Sequence, residues 1–229
     1  MLTVHNLTRD YQGKGIRNLS FSLESGKVLA VIGPNGAGKT TLFNCLAGLQ
    51  PADDGTCDYN GKPMPDIKNT EIGFLPEKPF LPTQLTPWQT LCYIKQMRGV
   101  PVKEPDVEAE LRRFDAWEFR NMKNKALSQG MLKKAAAVLA FTGDPPVLIL
   151  DEPTNGLDIH SVILFKEQIR LAKNRGATIL ISSHILDFLD RIADEVLFLN
   201  YDFAKVLSVG QDAALEDTYQ QLFYTDKNP

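Results

Sequence analysis

The chain has 229 residues, 43% hydrophobic and 23% charged, an ordinary globular composition with enough length for one substantial core. A formal net charge of −3 without any long basic block argues against a non-specific nucleic-acid binder, so no nucleic-acid partner is expected. Three widely spaced cysteines, Cys45, Cys57 and Cys92, fit neither a disulfide framework nor a zinc pattern and point to a reducing, cytosolic compartment. The opening MLTVHNLTRD lacks the basic start and apolar centre of a signal peptide, and no run of about 18 apolar residues could span a bilayer. Membrane attachment is therefore expected only through a partner.

In chain order, the first pattern is the alternation in LSFSL, with Leu19, Phe21 and Leu23 on one side, between the turn signals GKG and Ser25-Gly26. Short antiparallel strands are expected there. VLAVIGPNGAGKTTL follows: Val28 to Ile32 reads as a buried strand, and the residues after Lys39 as a helix that stops at Gly48, ahead of Pro51. Glycines at such a strand-to-helix turn let successive backbone N–H groups wrap an anion, and the helix N-terminus adds partial positive charge. Gly33, Gly38, Lys39 and Thr40 fill the template G-x-x-x-x-G-K-[ST], in which the Lys reaches the outer phosphates and the hydroxyl holds Mg²⁺. The expected ligand is a phosphate chain.

The Pro/Gly/Asp-rich patch QPADDGTCDYNGKPMPD suits a hairpin and loops, and the core resumes at EIGFLPE. TPWQ at Thr86 is a capping box with Pro at the first helical position, and helical spacing continues through Leu91, Ile94 and Met97 to Gly99. A second helix is expected around Asp106 to Phe114. With no strand signal between about 80 and 140, this stretch reads as a helical insert in a strand-helix alternation. That alternation returns with PPVLILDEP, a helix from about His160 to Asn174, ATILISSH, and the strands EVLFLN and KVLSVG.

VLILDE is an apolar strand ending in two carboxylates. In phosphate-loop nucleotidases such a strand lies beside the loop, so Asp151 can hold Mg²⁺ while Glu152, one residue on, can polarise an attacking water. His184 directly follows another apolar strand, at the edge where ligands collect in parallel sheets. His5 and His160 carry no site role. Ser128 in LSQGMLKKAAAVLAF can cap a helix whose first turn holds Gly130, a further anion site of hydroxyl and free N–H groups.

With Tyr11, GPNGAGKT, LPE, LSQGM, VLILDEP, NGLD and His184 in this order, the chain resembles the ATP-binding-cassette (ABC) family over essentially its whole length. The resemblance implies an α/β fold: a P-loop NTPase core with an N-terminal antiparallel β subdomain and an inserted α-helical subdomain, one ABC ATPase domain over 1–229 with residues about 80–140 carrying the signature. It implies an ATPase using ATP and Mg²⁺ in a head-to-tail dimer, where the phosphate loop of one subunit and LSQGM of the other enclose each ATP. ATP contacts are then expected at Tyr11, which stacks on adenine, along the loop at Gly33, Pro34, Asn35, Gly36, Ala37, Gly38, Lys39, Thr40 and Thr41, and at Ser128, Gly130 and Asp158, the last working across the interface. Glu152 is expected to be the general base with His184 near the terminal phosphate, and Thr40, Asp151 and Glu77 are the expected metal ligands.

Two motifs depart from the family pattern. Gln129 and Met131 replace the first glycine and the final Gln of the signature, so bulk stands where close backbone approach is expected. Glu77 stands where the family usually has a Gln. The expected partners are a second ATPase subunit, identical or related, and a separately encoded transmembrane permease on which the helical insert docks. Glu77 and the short ending ALEDTYQQLF resemble exporter-type ATPases. The alternative, a soluble mechanical ATPase of translation or DNA repair, usually brings two cassettes with a charged linker or a long coiled-coil insertion. A small-molecule kinase or GTPase would leave LSQGM and NGLD unexplained.

Overall fold

The computed structural model describes residues 1–64, 71–201, 203–209 and 214–224. The last two residues of the Pro/Gly/Asp-rich patch, 65–66, and the final glycine of KVLSVG lie outside them.

Two sheets organise the fold. The N-terminal strands β1 (Leu2–Asp10) and β2 (Gly15–Leu23) pair antiparallel around a turn at Gln12 and Gly13, both with positive φ. Leu19, Phe21 and Leu23 of β2 alternate inward as the period-two pattern requires. With β4 (Asp54–Tyr59) and the short β5 (Lys62–Pro63) they form a four-stranded sheet in the order β2-β1-β4-β5.

The second sheet has six strands in the order β10-β9-β3-β8-β7-β6: β3 (Val28–Ile32), β6 (Ile72–Leu75), β7 (Val147–Leu150), β8 (Thr178–Ser182), β9 (Glu195–Asn200) and β10 (Phe203–Ser208). All pair parallel except β10, which returns antiparallel on β9. Strands β3, β7 and β8 are buried along their whole length, which explains why they read as continuous apolar runs rather than alternations. Their side chains still divide between two faces. Ala30, Ile32, Leu148, Leu150, Ile179 and Ile181 meet one core, while Leu29, Val31, Ile149 and Leu180 meet the other with α1 (Lys39–Leu46) and the antiparallel sheet.

Between β6 and β7 the described chain has no strand. It carries α2 (Pro87–Met97), α3 (Glu104–Arg113), a 3-10 turn at Asn124–Ala126 and α4 (Gln129–Phe141). The capping box at Thr86 forms in both directions with Gln89. The buried face of α2 differs from the apolar spacing, because Met97 is 64% exposed whereas Lys95 is 2% exposed. Lys95 is drawn in by an ion pair with Glu110 of α3, and Glu110 also accepts from Thr142 Oγ1 at 3.1 Å. Arg98, just past α2, donates to the carbonyls of Thr142 at 2.6 Å and Ile72 at 3.3 Å, tying this layer to the first residue of β6.

Phe114, Phe141 and Phe165 meet at centroid separations of 5.1 to 5.8 Å and lock α3 and α4 onto α5 (Ile159–Asn174). A short α6 (Leu186–Asp190) follows β8, and α7 (Leu215–Tyr224) packs Phe223 between Phe198 and Phe203.

Candidate active site

The parallel order of the core sheet fixes the site. β8 lies between β3 and β7, so the loop after β3, the acidic end of β7 and the residues after β8 emerge side by side at the carboxyl edge. A cavity of 440 Å³ opens there, within the roughly 300–1,000 Å³ usual for small-molecule sites. It is lined by Tyr11, by the loop and helix start from Asn35 to Thr41, and by Glu77, Asp151, Glu152 and His184. Lys14 and Gly15 of the β1–β2 turn line it as well. Gly33 and Pro34 contribute through their carbonyls, below.

Gly38 marks the sharpest constraint in the loop. Its φ of 102 lies in the left-handed region, and a Cβ there would sit 2.1 Å from the carbonyl oxygen of Gly15. The antiparallel sheet is thereby pressed directly onto the phosphate loop. Lys39 is folded back, its Nζ donating to the carbonyls of Gly33 at 2.7 Å and Pro34 at 3.2 Å. Burial lowers the Lys39 pKa, opposed by the charges of Glu152, Asp151 and Glu77.

Asp151 and Glu152 are 1% and 4% exposed. Thr40 Oγ1 donates to Asp151 Oδ2 at 2.7 Å, and Ser182 Oγ donates to Asp151 Oδ1 at 2.6 Å while accepting the Glu152 N–H at 2.9 Å. Glu152 has φ 48, left-handed for a non-glycine residue, a conformation costing about 1–3 kcal/mol. Its carbonyl accepts from Lys133 Nζ at 2.7 Å. On the carboxylate, Oε2 accepts the His184 N–H at 3.3 Å. His184 Nε2 stands 3.1 Å from Oε1 but is not aligned to donate, so Oε1 is buried without a hydrogen-bond donor. Burial pushes the Glu152 carboxyl up, with His184 and Lys39 pulling the other way.

Tyr11 is 41% exposed at the rim, its hydroxyl donating to Gln50 Oε1 at 3.0 Å and accepting from Arg9 Nε at 3.1 Å. Ser128, Gly130 and Asp158 lie outside the cavity lining. Ser128 caps α4 by accepting the Met131 N–H at 3.3 Å, and Gly130 packs so closely that a Cβ would stand 3.0 Å from the Gly156 carbonyl oxygen. Gln129 lines a separate cleft of 360 Å³ together with Glu77 and Asn155. Asp158 caps α5 through the Ser161 N–H at 2.8 Å and pairs with Lys134 at 3.2 Å, which also reaches Asp115 at 2.7 Å.

Besides Lys14 and Gly15 in the lining, three contributors escaped the sequence reading. Ser182 ends an apolar strand whose following His drew the attention, Lys133 stands on a helix where a lysine reads as solvated, and Gln50 sits in a turn-rich patch. Position beside the carboxylate-ending strand was the available signal for Ser182; the other two depend on distant pairing.

The profile describing the ABC transporter family matches residues 16–155. The chain belongs to the ABC transporter family. It is an ATP-binding ATPase subunit of that family. It is 33% identical over 207 residues to the SkfA peptide export ATP-binding protein SkfE of Bacillus subtilis (strain 168), covering 87% of this chain and 85% of that protein. It is 32% identical over 224 residues to the lantibiotic transport ATP-binding protein SrtF of Streptococcus pyogenes, covering 97% and 96%. A solved ATP-binding subunit of an ABC transporter superposes with a TM-score of 0.88 at 28% identity, covering 97% of this chain and 99% of that one. The ABC ATPase fold is therefore as the motifs implied. Among the described residues no helix is long and apolar enough to cross a membrane.

Proposed function

We propose that this ABC ATPase hydrolyses ATP to power export of a substrate through a separately encoded transmembrane permease, with residues 1–229 forming one ATPase domain and about 80–140 its helical subdomain. The single observation that carries the residue roles is the convergence at Asp151 and Glu152. The phosphate-loop hydroxyl Thr40 bonds directly to Asp151, and the neighbouring Glu152 keeps one buried carboxylate oxygen without a hydrogen bond, with His184 Nε2 3.1 Å away. A buried, unpartnered acceptor next to a phosphate cradle is what a positioned base for water requires.

In this reading the backbone N–H groups from Asn35 to Thr41 wrap the phosphates, and Lys39 Nζ turns from the Gly33 and Pro34 carbonyls to the outer phosphates. Tyr11 stacks on adenine, Glu152 Oε1 takes the proton of the attacking water, and His184 stands beside the terminal phosphate. The oxygen donors Thr40 and Asp151, with Glu77 lining the same cavity, fit a hard cation that prefers few protein carboxylates plus phosphate oxygens. When bound, Mg²⁺ would neutralise phosphate charge. Ser128, Gly130 and Asp158, outside the subunit's own cavity, contact the ATP of a second subunit, identical or related.

Export is supported by relatives named for peptide export and lantibiotic transport. Docking of the permease on the helical subdomain, at the cytoplasmic face of the membrane, is supported by the exposure of Phe80, Tyr93 and Met97, apolar bulk that the fold itself leaves uncovered. The deciding experiment is Glu152→Gln: hydrolysis should fall about 10²- to 10⁴-fold while ATP binding survives, and the variant should elute as an ATP-dependent dimer. A variant that binds Mg-ATP yet stays monomeric overturns the shared-site dimer, and one with full activity removes Glu152 as the base. Copurification of the chain from detergent-solubilised membranes tests the permease.

A further inference from the structure

Glu152 combines two properties that conflict. It is a non-glycine residue in the left-handed region, and it is buried. The other non-glycine residues with positive φ among those described, Asn6, Gln12, Asn18, Asn60, Asp115 and Asp144, are all exposed, and five of the six are Asn or Asp, the types that tolerate that region best. A strained backbone persists only where its surroundings over-determine it. Around Glu152 the peptide groups are held on both sides: its N–H donates to Ser182 Oγ at 2.9 Å, and its carbonyl accepts from Lys133 Nζ at 2.7 Å and, more weakly, from the Asn155 N–H at 3.3 Å.

Lys133 is an unusual donor for that task. It is 4% exposed and sits on α4, so its ammonium has been removed from water to reach one backbone carbonyl. The carboxylates of Glu152, Glu77 and Asp151 supply the opposing negative charge. A solvated lysine would serve the surface of α4 equally well.

We infer that Lys133 is a positioning residue for hydrolysis: its ammonium clamps the Glu152 carbonyl, fixes the strained backbone, and so holds the carboxylate where it can take the proton from water. Lys133 lies on the same helix that Ser128 caps, so a shift of α4 moves the clamp on the subunit's own base. The inference rests on the reading of Glu152 as the base.

The test uses the intact chain and its permease-free ATPase activity. Lys133→Met keeps length and burial but removes the donor, and should lower kcat about 10²-fold, the scale of an approximately 1 Å misplacement of a catalytic group, with KM and ATP affinity unchanged. Lys133→Arg keeps a donor and should retain more activity than Lys133→Met. In a Glu152→Gln background, Lys133→Met should add no further loss in single-turnover hydrolysis, because the group it positions is already gone.

Unchanged kcat in Lys133→Met overturns the inference. So do a rise in KM alone, equal losses in the Met and Arg variants, or the same additional loss in both Glu152 backgrounds. Should Lys133→Met fail to fold, Lys133→Gln is carried through the same comparison. Full activity in Glu152→Gln alone overturns the base assignment, whereas a slow Glu152→Gln with a full-rate Lys133→Met overturns only the clamp.

Discussion

Thr40 donates its hydroxyl to Asp151 Oδ2 at 2.7 Å, joining the first turn of α1 to the end of β7 through two side chains 111 residues apart. The hydrogen bond brings the hydroxyl and the carboxylate to one point of the cavity. If that point is where a cation sits, Asp151→Asn should lose the preference for Mg-ATP over ATP in chelator, and turnover with it. Titration calorimetry in the two buffers reads this directly. An Asn variant that keeps the wild-type preference would move the cation elsewhere.

Lys39→Ala should abolish tight ATP binding, because the loop offers no second Lys or Arg to make a charge-assisted contact with the outer phosphates. Fluorescent-nucleotide titration is sufficient, and unchanged affinity would contradict the assignment.

Tyr11→Ala should weaken nucleotide binding by roughly 1–3 kcal/mol, the usual worth of base–aromatic stacking. The fold should hold, since the ring is 41% exposed and its removal frees Arg9 and Gln50 at a solvated rim. Wild-type affinity in the variant would return Tyr11 to a packing role.

Gln129→Gly should increase ATP-dependent dimerisation if side-chain bulk at the start of α4 loosens the closed state. The Gln129 side chain lines the cleft that also borders Gly156, at the start of the helix that carries Gly130. Identical sedimentation of the two proteins in Mg-ATP would show that the side chain is accommodated in its cleft.

Asp158 supplies a pH-dependent prediction. Its carboxylate accepts the Ser161 N–H and hydroxyl and pairs with Lys134, which hold its pKa well below the usual carboxylate range. A depressed folded pKa stabilises the fold above the unfolded value, about 3.9, and that contribution is lost as pH falls toward the folded value. Asp158→Asn, which can still cap, should therefore lower the unfolding midpoint at pH 7. The gap from wild type should close in acid below about pH 4, and narrow in high salt because the side chain is exposed. A gap that persists unchanged at low pH would locate the effect in the cap rather than the charge.

The parts legible in the sequence are those where one short segment does one job. GPNGAGKT, VLILDEP and ILISSH each place a loop at the end of an apolar strand, and the sheet sets those ends side by side. The Thr86 capping box is equally local, which is why both its hydrogen bonds could be anticipated. What escaped depends on pairs far apart in the chain. Apolar spacing put Met97 inward, yet Lys95 is the buried residue because Glu110, on another helix, is there to meet it. Lys133 and Ser182 escaped for the same reason, each acquiring its meaning from Glu152 on a different element.

The contact between Gly38 and Gly15 reaches beyond nucleotide binding. A would-be Cβ at Gly38 would stand 2.1 Å from the Gly15 carbonyl oxygen, and one at Gly15 just as close to the Arg9 carbonyl oxygen on the neighbouring strand, so the β1–β2 hairpin meets the phosphate loop where neither backbone has room for a side chain. The rim that carries Tyr11 is thus seated directly on the loop that carries Lys39, with the Ile16 side chain beside the contact. A hairpin transplanted from a relative would have to bring its own glycine at the fifteenth position, and because a Cβ at either site would meet main chain rather than a side chain, no change at the other site could compensate for it.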